Sequence, residues 1–188
     1  MAAAEPSLTQ LLREARQGDR AASEQAYAHI YRWLYDAARA QLRRGAEHAT
    51  LTPTALVHEA WLKLSSADFE INDRQHYLAM ASAAMRHLVV DAARARKSEK
   101  RGGQLVRVTL PDDGVPASAN EVDVLSLDAA LGQLEALEPR LASVVQYRFF
   151  GGLTEVEIAS VLGTTERTVR RDWRKARAFL HRALSEAA

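Results

Sequence analysis

The sequence predicts an all-α protein made of two small helical domains joined by a flexible linker. Three observations carry that expectation. Nearly every periodic stretch repeats its apolar residues at helical spacing. Between Gln104 and Ser126 the period lapses, and two prolines and an Asp-Asp-Gly turn replace it. The charges are segregated in the same three-part way, basic, acidic and basic again, although the 188-residue chain has a formal net charge of only +1.

Taken in order, Ser7 caps a first helix, with Gln10 as its capping-box partner, and Gly18 ends it. Asp19 opens a second helix, in which Ala26, Ile30, Leu34, Ala38 and Leu42 share one face and which Gly45 closes. Thr52-Pro53 reads as a cap followed by proline at the first helical position. Leu56, Val57, Ala60, Trp61 and Leu64 then form an apolar stripe, and Ser65 to Asp73 reads as a loop. An alanine-rich helix follows from about Arg74 to Lys100, with Tyr77, Ala81, Ala84, Leu88 and Ala92 along its buried face and Gly102-Gly103 as its stop. In the linker, the alternation Val106-Arg107-Val108-Thr109 is expected to be locally extended without forming a sheet. Helices resume at about Leu127. The expected division is therefore a domain over 1–103, a linker over 104–126 and a second domain over 127–188.

Composition removes several function classes. An apolar fraction of 47% belongs to a folded chain, and no run of eighteen apolar residues is present to span a membrane. MAAAEPSLTQ lacks the basic start and apolar core of a secretory signal, so the expected location is the cytoplasm. With no cysteine there is no disulfide, thiol nucleophile or cysteine-ligated zinc. His29, His48, His58, His76, His87 and His181 are scattered, and no paired carboxylates or phosphate-cradling glycine loop stands out. His58-Glu59 begins an HExxH pattern, but Leu62 stands where the second histidine belongs. No metal, no cofactor and no enzymatic activity are expected.

The charge pattern points to a polyanion. Bases dominate from Arg86 to Arg107, none occurs from Val108 to Glu138, and they dominate again from Arg167 onward. Either basic segment alone reads as a solvated helix face; the pair suggests two contacts with nucleic acid. In the free protein the acidic segment, through Asp112, Asp113, Glu121 and Asp123, is a candidate to fold back on a basic face.

The sharpest local motif is Leu153–Phe179. Thr154 caps a short helix, with Glu157 at the capping-box position. Ala159 is small where two helices cross, Gly163 suits a left-handed turn, and Val169 pins the second helix to the first. Those offsets define a helix-turn-helix, whose second helix enters the major groove. Thr165 would cap that helix, and Arg167, Thr168, Arg170 and Arg171 lie on its first turns, within reach of base edges. Arg174 and Lys175 lie farther along, toward phosphates.

Three segments extend the motif into a resemblance. Leu8 to Arg44, LTPTALVHEAWLKL and RQHYLAMASAAMRHLVVDAARARKSEKRGG resemble region 2 of the extracytoplasmic-function (ECF) branch of the sigma-70 family of RNA polymerase sigma factors. LEPRLASVVQYRFFGGLTEVEIASVLGTTERTVRRDWRKARAFL resembles region 4. The resemblance implies a factor that binds core RNA polymerase and promoter DNA, with region 4 on the −35 element and region 2 on the −10 element. It implies that Leu56, His58, Glu59, Trp61 and Lys63 contact polymerase, although Leu56 and Trp61 equally suit a core. It also implies a loop pocket for a flipped base, for which Phe69 and Asn72 are the suitable residues. A surface loop with Phe69 tucked in is the alternative. Arg86, His87, Arg94, Arg96 and Lys97 would follow the DNA strands.

One departure stands out. Such factors mostly carry an acidic cluster at the start of region 2.2, where this chain has Thr52, Pro53, Thr54 and Ala55. Phosphorylation of Thr52 or Thr54 by a Ser/Thr kinase would restore negative charge at a helix N-terminus. The plainer reading is that Thr52 is an ordinary cap. An anti-sigma factor is the other candidate controlling partner. The alternative to a sigma factor is a free-standing helix-turn-helix regulator, which would leave the helix from Arg74 unused.

Overall fold

The computed structural model describes residues 6–43, 53–66, 74–99, 107–109 and 121–186. Helix α1 spans Leu8–Arg16 and α2 spans Arg20–Arg43. Ser7 Oγ accepts the Gln10 N–H at 3.3 Å, but the Gln10 side chain donates to Glu14 at 3.0 Å, so only half of the expected capping box forms. Asp19 Oδ1 takes the Ala22 N–H at 3.1 Å and starts α2. Ala26, Ile30, Leu34 and Ala38 are buried along one face of α2, as the periodicity requires; the side chain of Leu42 and the stop at Gly45 lie outside the described residues.

Helix α3 runs Pro53–Ser66, with proline at its first position, and buries Val57 and Ala60. Ser65 and Ser66 complete its last turn, so the loop expected from Ser65 begins later in the chain. Helix α4 spans Arg74–Glu99. It buries Tyr77, Ala81, Ala84 and Leu88 as expected, while Ala92 is only half-buried. Leu78, Ser82, Met85, Val90 and Ala93 are buried as well, a wider arc than one amphipathic face supplies. The reason is that α4 is packed on two sides: α3 lies on one, and the C-terminal helices lie on the other.

The stretch at 107–109 corrects one expectation. Strand β1 (Arg107–Thr109) pairs antiparallel with β2 (Glu121–Asp123), setting Val108 opposite Val122. Val108 is buried, and the ladder sets its apolar side chain in the core instead of leaving the stretch as an isolated extended segment. The result is a short ladder within an otherwise all-α molecule. Asp123 then caps the next helix through the Ser126 N–H at 3.1 Å, so that helix starts three residues before Leu127.

The C-terminal helices are α5 (Val124–Leu137), α6 (Pro139–Val145), α7 (Glu155–Val161) and α8 (Glu166–Glu186). A π-helical turn over Gln146–Phe150 extends α6. Its wider winding buries Phe149 and Phe150 together, edge to face with centroids 4.8 Å apart. Gly151 follows, buried against α4; a Cβ there would sit 2.2 Å from Ser82 Oγ and 2.7 Å from Tyr147 O. The missing side chain lets the turn touch α4. A single apolar cluster consequently runs from Ile30 on α2 to Leu180 on α8.

Candidate nucleic-acid interface

The helix-turn-helix is assembled by local chemistry first. Thr154 accepts the Glu157 N–H at 3.3 Å, and the Glu157 carboxylate returns to the Thr154 N–H at 3.0 Å and its hydroxyl at 2.9 Å. Both halves of that capping box therefore exist. Burial pushes the Glu157 carboxyl up, but the Thr154 donors and Arg74 outweigh it and leave its pKa below the ordinary 4.5. At the turn Gly163 takes φ +59°, and the Thr164 N–H reaches back to Ala159 O at 2.9 Å. Thr165 Oγ1 then accepts the Thr168 N–H at 3.3 Å and begins α8.

Ile158, Ala159, Val169, Trp173, Ala176 and Leu180 are buried, which fixes which face of α8 points outward. On that outer face Arg167, Arg170, Arg171, Arg174 and Lys175 are exposed. They are not equivalent. Arg170 Nε donates to Glu155 and its Nη2 lies 3.3 Å from Glu166, so it is held inside the motif. Arg171 lies 3.1 Å from Asp172. Thr165 and Thr168 hydroxyls meet at 3.0 Å in the cap. Arg167, Arg174 and Lys175 form no ion pair among the described residues, leaving their charge available to an anion.

Residues that periodicity does not flag hold this surface in place. Asp172 is buried, with Oδ2 2.9 Å from Arg140 Nε, and Arg140 also donates to Thr164 at 3.1 Å. Arg148 reaches Glu155 at 3.2 Å and lies 4.7 Å over the Trp173 ring. Acids on the inner edge thus orient arginines from three elements. In the sequence the visible hint is only an acid flanked by bases, Arg171-Asp172, within a basic run.

A second cationic surface lies on α4. His87, Arg94 and Lys97 are exposed there, Arg96 is half-buried, and Arg86 is drawn inward. Arg86 Nη2 lies 2.8 Å from Asp128 Oδ1, and its Nη1 is 3.4 Å from both Glu135 and Gln146. Arg94 reaches the other oxygen of Asp128 at 3.5 Å.

The sequence model of a family described as ECF sigma factor matches residues 5–186, from before α1 to the end of α8. The chain belongs to the ECF sigma factors. A comparison with curated proteins returns no match. Members of this family are transcription factors that act with core RNA polymerase and promoter DNA to direct initiation.

In this sigma factor the helix α3 presents His58 and Glu59 to solvent, and Thr54 is exposed in its first turn, which carries no acid. The side chains of Leu56, Trp61 and Lys63, and the whole of Thr52, Phe69 and Asn72, lie outside the described residues. Leu62 is exposed on α3, and among the described residues no cluster of three metal-ligating side chains exists. Also among them, no helix is long and apolar enough to cross a membrane.

Proposed function

We propose that residues 1–103 are the region that docks on core polymerase and engages the −10 element, and that residues 127–188, led in structure by α5, read the −35 element. The reading rests chiefly on one observation: α8 presents Arg167, Arg174 and Lys175 outward from a helix-turn-helix whose cap, turn and core are all formed. Arg167, beside the capped N-terminus, is suited to a guanine edge. Arg174 and Lys175, about two turns on, are suited to phosphates. The protein would act in the cytoplasm, where polymerase and promoter are found.

The test is transcription in vitro from a randomised promoter pool with core polymerase. Selected promoters should share a −35 and a −10 block, and Arg167→Ala should relax choice in the −35 block. Each good arginine–guanine pair is worth roughly 1–3 kcal/mol, so the relaxation should be about 5- to 150-fold. Duplex binding without any gain from polymerase would instead favour the free-standing regulator.

For polymerase docking we propose that His58, Glu59 and the first turn of α3 form the contact, with Thr54 or Thr52 as a phosphoacceptor. Exposure of Thr54 in an acid-free first turn supports this, because a phosphate adds about −1.5 to −2 charge where the helix dipole favours it. Thr54→Glu or Thr52→Glu should raise affinity for core polymerase severalfold. Unchanged or weaker binding from both would leave an anti-sigma factor as the controlling partner.

A further inference from the structure

The outward direction of α8 is fixed by the residues it buries. Val169, Trp173, Ala176 and Leu180 face the core, and Arg167, Arg171, Arg174 and Lys175 recur on the opposite side at helical spacing. Arg167 and Arg171 are four residues apart, one above the other, and share the middle of that outer face. Arg170 lies to one side of it, where Glu155 of α7 and Glu166 hold it. Arg171 also has an acid partner, but of a different kind. Its Nε and Nη2 both donate to one oxygen of Asp172, at 3.2 and 3.1 Å. The Asp172 carboxylate is only 4% exposed, whereas the Arg171 side chain is 58% exposed.

Asp172 is itself held from behind. Its second oxygen lies 2.9 Å from Arg140 Nε on α6, and Arg140 Nη2 donates to the hydroxyl of Thr164 in the turn at 3.1 Å. The carboxylate is therefore a fixed point against which the Arg171 guanidinium is set. A guanidinium has five N–H donors. Asp172 takes one from Nε and one from Nη2. Both donors of Nη1 and the second donor of Nη2 have no partner among the described residues. They line the far edge of the group, the edge whose paired donors match O6 and N7 of guanine. The contact does not cancel the attraction of Arg171 for DNA, because one carboxylate shared by two guanidinium groups leaves a net positive charge. It does remove in advance the rotamer freedom that a solvated arginine loses on binding.

We propose that Asp172 is a positioning residue for promoter choice: it holds Arg171 so that the outer edge of the guanidinium reads one guanine of the −35 element. The proposal rests on the reading of residues 127–188 as the −35 domain. It assigns different work to cations that look alike in the sequence. Arg171 is preset and selects a base, Arg170 is spent within the motif, and Arg174 and Lys175 supply charge toward phosphates. An acid that served only the fold would act on stability and leave the choice of base alone.

The experiment is transcription in vitro with core polymerase and the full chain, from a promoter pool randomised across the −35 block, with the thermal midpoint of each variant measured alongside. Arg171→Ala should relax base choice at one position by about 5- to 150-fold. Asp172→Ala should relax the same position by at least about fivefold although Arg171 is still present, and combining the two should relax it no further than Arg171→Ala alone. Asp172→Asn keeps the volume and one acceptor oxygen; it should give the same pattern more mildly, and it replaces Asp172→Ala if that variant does not fold. Asp123→Ala, which removes the cap of α5, should lower the midpoint and leave the −35 choice unchanged. Asp172 variants that lower the midpoint without relaxing any position overturn the proposal, as does relaxation at a position other than that of Arg171→Ala. Relaxation by Asp123→Ala at that same position overturns it too, because general loosening would then suffice. If Arg167→Ala relaxes a position and Arg171→Ala relaxes none, Arg171 is not a reader and the proposal alone fails. If neither relaxes any position, the assignment of α8 to the −35 element fails with it.

Discussion

Asp172 illustrates how a single buried charge organises a surface built to meet an anion. Its carboxylate is 4% exposed and is held between Arg140 and Arg171, at 2.9 and 3.1 Å. Burying an ion is costly unless it is partnered, so Arg140 matters more than its exposed position suggests. Arg140→Ala should lower stability by about 1–3 kcal/mol, the cost of leaving a buried carboxylate with one ion-pair partner in place of two. Arg182→Ala, which breaks an exposed pair with Glu186 at 3.9 Å, should cost less than about 0.5 kcal/mol. Equal losses in urea titrations of the two variants would contradict this account. The same reasoning separates the arginines of α8. Arg170 is tied to Glu155 and Glu166, whereas Arg174 and Lys175 form no ion pair among the described residues, so alanine at either of the latter two should reduce the salt slope of DNA binding by about 1. Sequence alone places all of these cations on one helix, but it does not show which of them an acid from another element has already claimed.

Among the elements, α7 is specified almost completely by its own residues. Thr154, Glu157, Ala159 and Gly163 fulfil their expected roles, because capping, close approach and a positive φ depend on neighbours within a few positions. Thr154→Ala should cost about 1 kcal/mol. Glu157 adds a pH signature. Its pKa is lowered on folding, so its contribution is complete above the ordinary value of 4.5 and is lost as pH falls through the lower folded value. Thermal midpoints should therefore fall below about pH 4.5 in the wild type, and Glu157→Gln should remove part of that fall. The share due to Arg74 belongs to the contact with α4, while the share due to Thr154 stays within the helix-turn-helix. Helix α4 was less legible. Its length and one buried face follow from periodicity, but its second buried face reads as a solvated basic surface until α5 is set against it. The β1–β2 ladder was missed for a similar reason, since a three-residue alternation carries no record of its partner twelve residues later.

Across the whole molecule, the continuous apolar cluster from α2 to α8 couples the two halves despite the mixed chemistry of their contact. Calorimetry of the wild type should show a single unfolding transition. Asp128→Asn with Glu135→Gln should split it in two, since each half keeps helices that pack on one another, α1 to α4 on one side and α5 to α8 on the other. A single transition in that variant would mean that apolar packing alone holds the halves together.

The helical class, the helix-turn-helix with its caps and turn, and the two basic segments are legible in the residues alone. These are set by local spacing and by composition, which act over a turn or two of helix. The sequence also carries the family, through motifs that lie along nearly the whole chain. Which acids meet which bases is settled by the packing of the helices. Ion pairs such as Arg86 with Asp128 and Arg74 with Glu157 join residues 42 and 83 positions apart. Their partners are selected by how α5 and α7 pack on α4, and no local pattern encodes that choice.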